Sequence, residues 1–264
     1  MQTKAPRNVL REYLMNVKPK PLVGEHNLIL GKCLDVLPDF DNDQFDLCLT
    51  SPPYNMNLRI RDGKYVSRQI VKEISTKYDD YSDNLSMGDY YALNKAVISE
   101  CLRVSKLVFY NIQMITGNKP ALFKLLGYFH EYIKELIIWD KGHGIPAIGE
   151  GVLNSRHELI VVLSKDAISR KFEEANFDRG TLDNVWDIKR EHKKKSTHGA
   201  VMPLALADKV IANFTREGDN VLDPFMGTGT TGVASVSHNR KFTGIEMSEC
   251  YLNMAKLRIQ STRM

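Results

Sequence analysis

Residues 220–232 read NVLDPFMGTGTTG and combine an apolar run, a glycine-rich turn and the start of a helix. Asn220 to Phe225 predicts a buried strand, and Gly227 to Thr231 predicts a turn that opens a helix. Glycines let the backbone pass close to a ligand, and exposed amides at a helix start attract a carboxylate or a phosphate. The stretch is not a P-loop, because no lysine follows the glycines in the required place. It predicts an α/β fold with a ligand at this turn.

A second predicted strand, KFTGIEM at residues 241–247, follows that helix and places Glu246 at its end. An acidic residue about 20 positions after a glycine turn, at the end of the next strand, is placed to bind ribose hydroxyls. The series of strand, glycine turn, helix, strand and acid is typical of a site for a nucleoside-bearing cofactor.

Far upstream, residues 45–55 read FDLCLTSPPYN. Phe45 to Leu49 predicts a short buried strand, and the run Ser51-Pro52-Pro53-Tyr54 ends it because proline cannot donate to a sheet ladder. The tyrosine then stands at the carboxyl end of a strand, where open α/β sheets place their ligands. A rigid turn with oxygen acceptors beside an aromatic ring suits a planar base that carries an exocyclic amino group. The alternative interpretation is a strand ended by prolines and followed by a packed tyrosine.

TSPPY (residues 50–54) and DPFMGTGTT (residues 223–231) together resemble the motifs of the S-adenosylmethionine-dependent amino-methyltransferases of DNA. The tetrapeptide precedes the cofactor loop by more than a hundred residues, an order similar to the β, or permuted, type of the SPPY subgroup. Methyltransferases of RNA and protein with an Asn-Pro-Pro-Tyr motif have the opposite order. The resemblance extends from about Asn27 to about Ile259. It implies methyl transfer to the exocyclic amino nitrogen of a base flipped out of DNA.

The resemblance also implies a role for each motif residue. Ser51 Oγ and the Pro52 carbonyl would accept the amino hydrogens, with Pro53 stiffening the turn and the Tyr54 ring stacking on the base. The residues that would bind S-adenosylmethionine are Asp223, Phe225, Gly227, Gly229, Thr230, Thr231 and Glu246. No metal site is expected, because the four cysteines lie far apart and form no CxxC pair.

The serine at position 51 bears on the target base. Family members with Ser-Pro-Pro-Tyr are mostly cytosine-N4 enzymes, whereas Asp-Pro-Pro-Tyr is commoner in adenine-N6 enzymes. We favour cytosine N4 and keep adenine N6 as the alternative, because a neutral acceptor does not decide which ring enters. An inactive DNA-binding homologue stays open, since Lys32 and Met202 replace the acid and the lysine usual in the family. An RNA methyltransferase is a third alternative.

Two cation-rich stretches predict contacts with DNA phosphates. The first is the polar stretch after the tetrapeptide, from which the expected contacts are Asn55, Arg59, Arg61 and Lys64. The second lies in residues 165–197, the place of the target-recognition segment in permuted enzymes, and contributes Lys189, Arg190, Lys193, Lys194 and Lys195. The alternative interpretation is that both stretches are merely solvated.

Between the motifs, the pattern of strands and helices predicts an α/β fold, a Rossmann-like open, mostly parallel twisted sheet with helices on both faces. Expected helices are Met87–Arg103 and Ala121–Ile133, and expected strands include Glu135–Asp140 and Arg156–Ser164. In the last of these, His157 is expected to be a hydrogen-bonded structural residue rather than a general base.

We expect one domain, residues 1–264. Within it, residues 25–164 would form the catalytic half, 165–197 the small inserted target-recognition segment, and 198–264 the cofactor-binding half.

The composition is that of a globular protein, with 43% hydrophobic residues and a net charge of +4 that permits nucleic-acid binding. No apolar run of membrane-spanning length and no signal-peptide pattern is present, so we expect a cytoplasmic protein of a prokaryote or phage without a membrane partner. No cysteine follows a proline, which disfavours methylation of cytosine carbon through a thiolate. Besides DNA, we expect a cognate restriction endonuclease as a partner, and a monomer or homodimer.

Overall fold

The fold was obtained as a computed structural model, which describes residues 26–55, 60–61, 64–65, 85–145, 150–173, 175–190 and 202–262. In chain order the strands and helices are β1 (His26–Leu30), α1 (Cys33–Val36), β2 (Phe45–Thr50), β3 (Ile60–Arg61), β4 (Lys64–Tyr65), α2 (Met87–Val104), β5 (Ser105–Ile112), α3 (Lys119–Tyr128), β6 (Ile133–Ile145), β7 (Ser155–Ser164), β8 (Val185–Asp187), α4 (Leu204–Phe214), β9 (Asn220–Asp223), α5 (Thr230–Ser237), β10 (Lys241–Glu246) and α6 (Glu249–Ser261). Short 3₁₀ turns follow α1 and α3.

Eight of these strands form one sheet in the order β1-β10-β9-β2-β5-β7-β6-β8. The first five strands in this order are parallel to one another. Strand β7 is antiparallel to both of its neighbours, β5 and β6. The prediction of an open, mostly parallel α/β sheet is confirmed.

Helices cover both faces of the sheet, because its central strands are apolar on both sides. Leu47 and Leu49 of β2 pack into a buried layer with helices α4, α5 and α6. Cys48, between them in the chain, points into the opposite layer, which contains residues of α2 and α3. The two layers cover the faces of the sheet and leave the carboxyl ends of its strands accessible for functional residues.

Helix α2 begins where the apolar spacing predicted it. Ser86 precedes the first helical residue, and its Oγ accepts a hydrogen bond from the backbone amide of Asp89 at 3.1 Å. Such a cap satisfies one of the amides that a helix start leaves without a partner, and is worth about 1 kcal/mol.

Other boundaries differ from the predictions. Helix α3 ends at Tyr128 rather than Ile133, because a 3₁₀ turn takes over and Ile133 already pairs with β7. Strand β6 continues past Asp140 to Ile145, although its glycines predicted a loop, since pairing with β7 supports it. Strand β8, which was not predicted, is three residues long and buries Trp186.

In the described ranges, no helix has the length and apolar character needed to cross a bilayer.

Candidate active site

The two sequence motifs meet at one edge of the sheet. Strands β2, β9 and β10 are neighbours and parallel, so their carboxyl ends lie side by side. The run Ser51–Tyr54 leaves the end of β2, the glycine turn leaves the end of β9, and Glu246 ends β10. Edges of this kind are where open α/β sheets bind ligands.

Asp223, the last residue of β9, joins the two motifs directly. One carboxylate oxygen, Oδ1, accepts hydrogen bonds from Thr50 Oγ1 at 3.0 Å and from the Phe225 amide at 3.1 Å. The other, Oδ2, accepts from Thr231 Oγ1 at 2.7 Å. Thr50 immediately precedes Ser51, and Thr231 lies in the first turn of α5. A single buried side chain therefore fixes the tetrapeptide relative to the glycine turn.

The tetrapeptide contributes two hydroxyls to a compact hydrogen-bond network. Ser51 Oγ lies 2.9 Å from Tyr54 Oη, and Tyr54 Oη donates to Glu158 Oε2 at 2.8 Å. Asn111 Nδ2, at the end of β5, lies 3.0 Å from both Tyr54 Oη and Glu158 Oε2, and 3.3 Å from Ser51 Oγ. The buried Asn111 Oδ1 has no hydrogen-bond partner in the part of the chain that the structure describes.

Glu158 is a member of the site that the sequence analysis missed. It is 5% exposed, and its second oxygen, Oε1, pairs with Lys141 Nζ at 3.2 Å. Burial lowers the pKa of Lys141; Glu158 opposes this effect and nearby Arg190 adds to it. Because strand residues alternate in direction, the neighbouring His157 points away and is exposed. The signal that could have found Glu158 is an ionisable residue within an otherwise apolar strand.

Two further side chains hold backbone carbonyls of the tetrapeptide. Tyr90 of α2 donates its hydroxyl hydrogen to the Pro53 carbonyl at 3.0 Å, and Asn118 Nδ2 donates to the Tyr54 carbonyl at 2.9 Å. These contacts limit the directions that the turn can adopt.

Asn55, expected to contact DNA or base, lies in the interior and is 1% exposed. Its Nδ2 donates to the carbonyls of Leu85 and Gly117, and its Oδ1 accepts from the Leu85 amide at 2.7 Å. Its φ of 55° is in the left-handed region, which asparagine tolerates better than most residues. The structure gives this side chain a role in fastening the chain after the tetrapeptide.

The residues expected to bind the cofactor fall into two groups. Phe225, Gly227 and Glu246 are partly exposed at the strand ends. The others, Asp223, Gly229, Thr230 and Thr231, are buried behind them. The first group can touch a ligand in this arrangement, and the second supports it.

Glu246 connects the glycine turn to the end of β10. Its Oε2 accepts from the Gly227 amide and its Oε1 from the Ser248 amide, each at 2.9 Å. Burial raises the pKa of Glu246, whereas the backbone donors oppose that shift. A carboxylate has about four acceptor sites, so Glu246 keeps acceptor capacity for a ligand hydroxyl.

The cations expected to contact DNA are only partly within the described residues. Arg59, Lys193, Lys194 and Lys195 lie outside them, and Arg61 and Lys64 are described as backbone positions of β3 and β4 alone. Lys189 is exposed and Arg190 partly exposed just beyond β8. Since β8 runs parallel to β6, both follow the strand end nearest Lys141 and lie at the same edge as the network.

Comparisons with known proteins agree with this geometry. A family model described as DNA methylase, of the N6/N4 methyltransferase group, matches residues 45–257. The type II methyltransferase M.HpaI of Haemophilus parainfluenzae is 27% identical over 256 residues, which cover 90% of this chain and 75% of that protein.

Solved structures share the fold. The PvuII DNA methyltransferase (cytosine-N4-specific) superposes with a TM-score of 0.68 at 16% identity, covering 89% of this chain and 86% of that one. The M1.HpyAVI–SAM complex superposes with a TM-score of 0.57 at 20% identity, covering 88% and 98%. With a family match over most of its length and both motifs on one sheet edge, the chain belongs to the N6/N4 DNA methylases, the S-adenosylmethionine-dependent amino-methyltransferases.

Proposed function

We propose that this protein transfers the methyl group of S-adenosylmethionine to the N4 amino nitrogen of a cytosine flipped out of duplex DNA. The observation that carries the proposal is the Asp223 carboxylate, which bonds to Thr50 on one side and to Thr231 on the other. It brings an acceptor turn suited to a base next to a glycine turn suited to a nucleoside cofactor. Neither motif alone would supply both reactants.

The cofactor site is assigned from the exposed group of residues. Bound S-adenosylmethionine supplies an electrophilic methyl group. Gly227 has open space where a Cβ would stand, so a ligand can approach its backbone closely. The partly exposed carboxylate of Glu246 would accept the ribose hydroxyls. Phe225 offers a partly exposed apolar surface at the end of β9, while Asp223, Gly229, Thr230 and Thr231 keep the turn in shape.

The base site is assigned to the tetrapeptide. The Tyr54 ring would stack on the flipped base and offset part of the few kcal/mol that extrusion costs. Ser51 Oγ and the Pro52 carbonyl would accept the amino hydrogens, and Pro53, whose carbonyl Tyr90 holds, keeps the turn rigid. As the amino nitrogen attacks, it gains positive charge, so fixed oxygen acceptors stabilise the transition state more than the ground state.

Cytosine is preferred because Ser51 belongs to a Ser-Pro-Pro-Tyr run, and family members with this run are mostly cytosine-N4 enzymes. The neutral serine does not by itself decide which ring enters, so adenine N6 is the alternative outcome of the test below.

The test is methyl transfer by the purified protein. The protein is incubated with S-adenosylmethionine and unmethylated bacterial DNA, and the DNA is digested and its nucleosides identified by mass spectrometry. We expect N4-methylcytosine. N6-methyladenine alone would reject the preference for cytosine, and transfer only to a parallel RNA sample would reject DNA as the substrate.

Ser51→Ala is the matched variant, because it removes the acceptor oxygen without enlarging the side chain. We expect its kcat to fall about 10²-fold or more, as when one preorganised hydrogen-bonding group is removed from an active site. Ser237→Ala, which removes an exposed hydroxyl at the end of α5 remote from the glycine turn, is the control and should keep its kcat. An active Ser51→Ala enzyme would contradict the assigned role.

A further inference from the structure

The network around Tyr54 raises the question of which hydroxyl donates to which. A serine hydroxyl has one hydrogen to donate and two lone pairs that accept. If Ser51 is to accept a hydrogen from a substrate amino group, its own hydrogen must point elsewhere. The direction of the Ser51–Tyr54 hydrogen bond therefore decides whether the serine can do the work assigned to it.

An ionised carboxylate accepts hydrogen bonds and donates none. The single hydroxyl hydrogen of Tyr54 is therefore directed to Glu158 Oε2, 2.8 Å away. It follows that the 2.9 Å contact between Ser51 Oγ and Tyr54 Oη is made by the serine hydrogen. The order of donation is then fixed as Ser51 to Tyr54 to Glu158, and a lone pair of Ser51 is left for the substrate.

The remaining contacts of Glu158 are consistent with an anion. Asn111 Nδ2 donates to its Oε2 at 3.0 Å, and the buried Lys141 Nζ stands 3.2 Å from its Oε1. The asparagine amide must present its nitrogen here, because the opposite orientation would place two acceptors against each other. Buried carboxylates persist when they are paired and hydrogen-bonded in this way.

We propose that Glu158 is a positioning residue that orients the Ser51 and Tyr54 hydroxyls so that Ser51 Oγ faces the substrate amino group as an acceptor. This inference rests on the proposed function. Glu158 does not touch the substrate in this scheme and acts only through Tyr54.

The test is Glu158→Gln, which keeps the shape of the side chain and places an amide donor beside Tyr54. Tyr54 would then donate to Ser51, and Ser51 would point its hydrogen at the substrate. We expect kcat to fall about 10²-fold, comparable to the loss of one preorganised hydrogen-bonding group. The dissociation constant for S-adenosylmethionine, measured by calorimetry, should stay within about threefold because the glycine turn is untouched.

A double-mutant cycle with Tyr54→Phe separates orientation from a general structural role. The phenylalanine keeps the ring for stacking and removes the oxygen that relays the effect. In this background Glu158→Gln should cost no further kcat, within about threefold. An equal loss in both backgrounds, or full activity of Glu158→Gln, would overturn the inference.

Glu158→Gln also leaves Lys141 without its anion, which can destabilise the fold. If thermal unfolding shows this, the double variant Glu158→Gln, Lys141→Met removes both charges, and its kcat should fall to the same extent. Asp140→Asn, which alters an exposed ion pair with Arg156 at the same edge, is the control and should keep kcat. An inactive wild-type protein would instead reject the proposed function itself.

Discussion

At the scale of the residue, the glycine turn shows that neighbouring glycines serve different purposes. Gly227 has φ 52° and open space around the position of a Cβ. Gly229 has φ 80°, and a Cβ there would stand 2.8 Å from Ala255 Cβ of helix α6. The first glycine keeps a surface accessible, and the second permits two helices to approach each other.

Alanine substitutions should therefore separate stability from cofactor binding. Gly229→Ala combines left-handed strain with overpacking and should lower the free energy of unfolding by about 3 kcal/mol. Gly227→Ala should lower the free energy of unfolding by only about 1 kcal/mol, from left-handed strain alone. It should nevertheless weaken binding of S-adenosylmethionine, because the alanine Cβ would occupy space that the ligand needs. Urea unfolding and calorimetry measure the two effects. Equal stability losses with unchanged affinity would contradict this division.

The residues of the two motifs could be found from the sequence, whereas most of their partners could not. Ser51 and Tyr54 lie in a run whose two prolines indicate the end of a strand. Asn111 and Glu158 lie in apolar strands, and they meet Tyr54 only through the antiparallel register of β5 and β7. That register depends on pairing between distant segments, which no local pattern records.

At the scale of the element, Asp223 ends β9 and joins β2 to α5. Burial raises the pKa of this carboxyl from 3.8 to about 6, although Thr231, Phe225 and Thr50 all donate to it and so lower it. The effect of burial on the pKa therefore exceeds the opposing effect of the three hydrogen-bond donors. The contribution of Asp223 to the fold is positional, because its carboxylate fixes the ends of β2 and β9 relative to the start of α5.

Asp223→Asn should reveal this effect of burial as a pH dependence. Between about pH 4 and pH 6 the folded protein keeps a proton on Asp223 that the unfolded chain has released, so the wild type loses stability from this group as pH rises. The asparagine of the variant does not titrate. Between pH 4 and pH 6 the free energy of unfolding of the variant should therefore rise by about 3 kcal/mol relative to that of the wild type. Urea unfolding at several pH values checks this. A difference that does not change with pH would contradict it.

Element types were predictable and their ends less so. The apolar spacing of α2 marked the helix start at Met87 correctly. The run after Asp140 was predicted as a loop from its glycines, but pairing with Ser155 at the start of β7 extends β6 to Ile145. Tertiary pairing overrode the local preference in that case.

At the scale of the whole molecule, one sheet edge collects both sequence motifs and nearby positive charge. Lys189 and Arg190 stand there, beyond β8, while Lys106 at the start of β5 marks the opposite edge. A duplex that delivers a base to Ser51 would bring its phosphates toward the first pair of cations and away from the second.

The double variant Lys189→Ala, Arg190→Ala should weaken DNA binding, with a smaller dependence on salt. Each lost phosphate contact reduces the slope of log K against log salt concentration by about 0.9. Lys106→Ala removes a cation at the other edge and should leave the slope unchanged. Fluorescence anisotropy with a labelled duplex at several salt concentrations measures both. Equal slopes in all three proteins would place the DNA elsewhere.

The order of strands in the sheet has a consequence for biosynthesis. Strands β9 and β10 lie between β1 and β2, yet they leave the ribosome after every other strand of that sheet. A nascent chain that stops short of residue 220 has no strands between β1 and β2 and lacks Asp223 beside Thr50. Folding of the methylase therefore completes only after translation has passed these strands, and prematurely terminated products carry no partial activity.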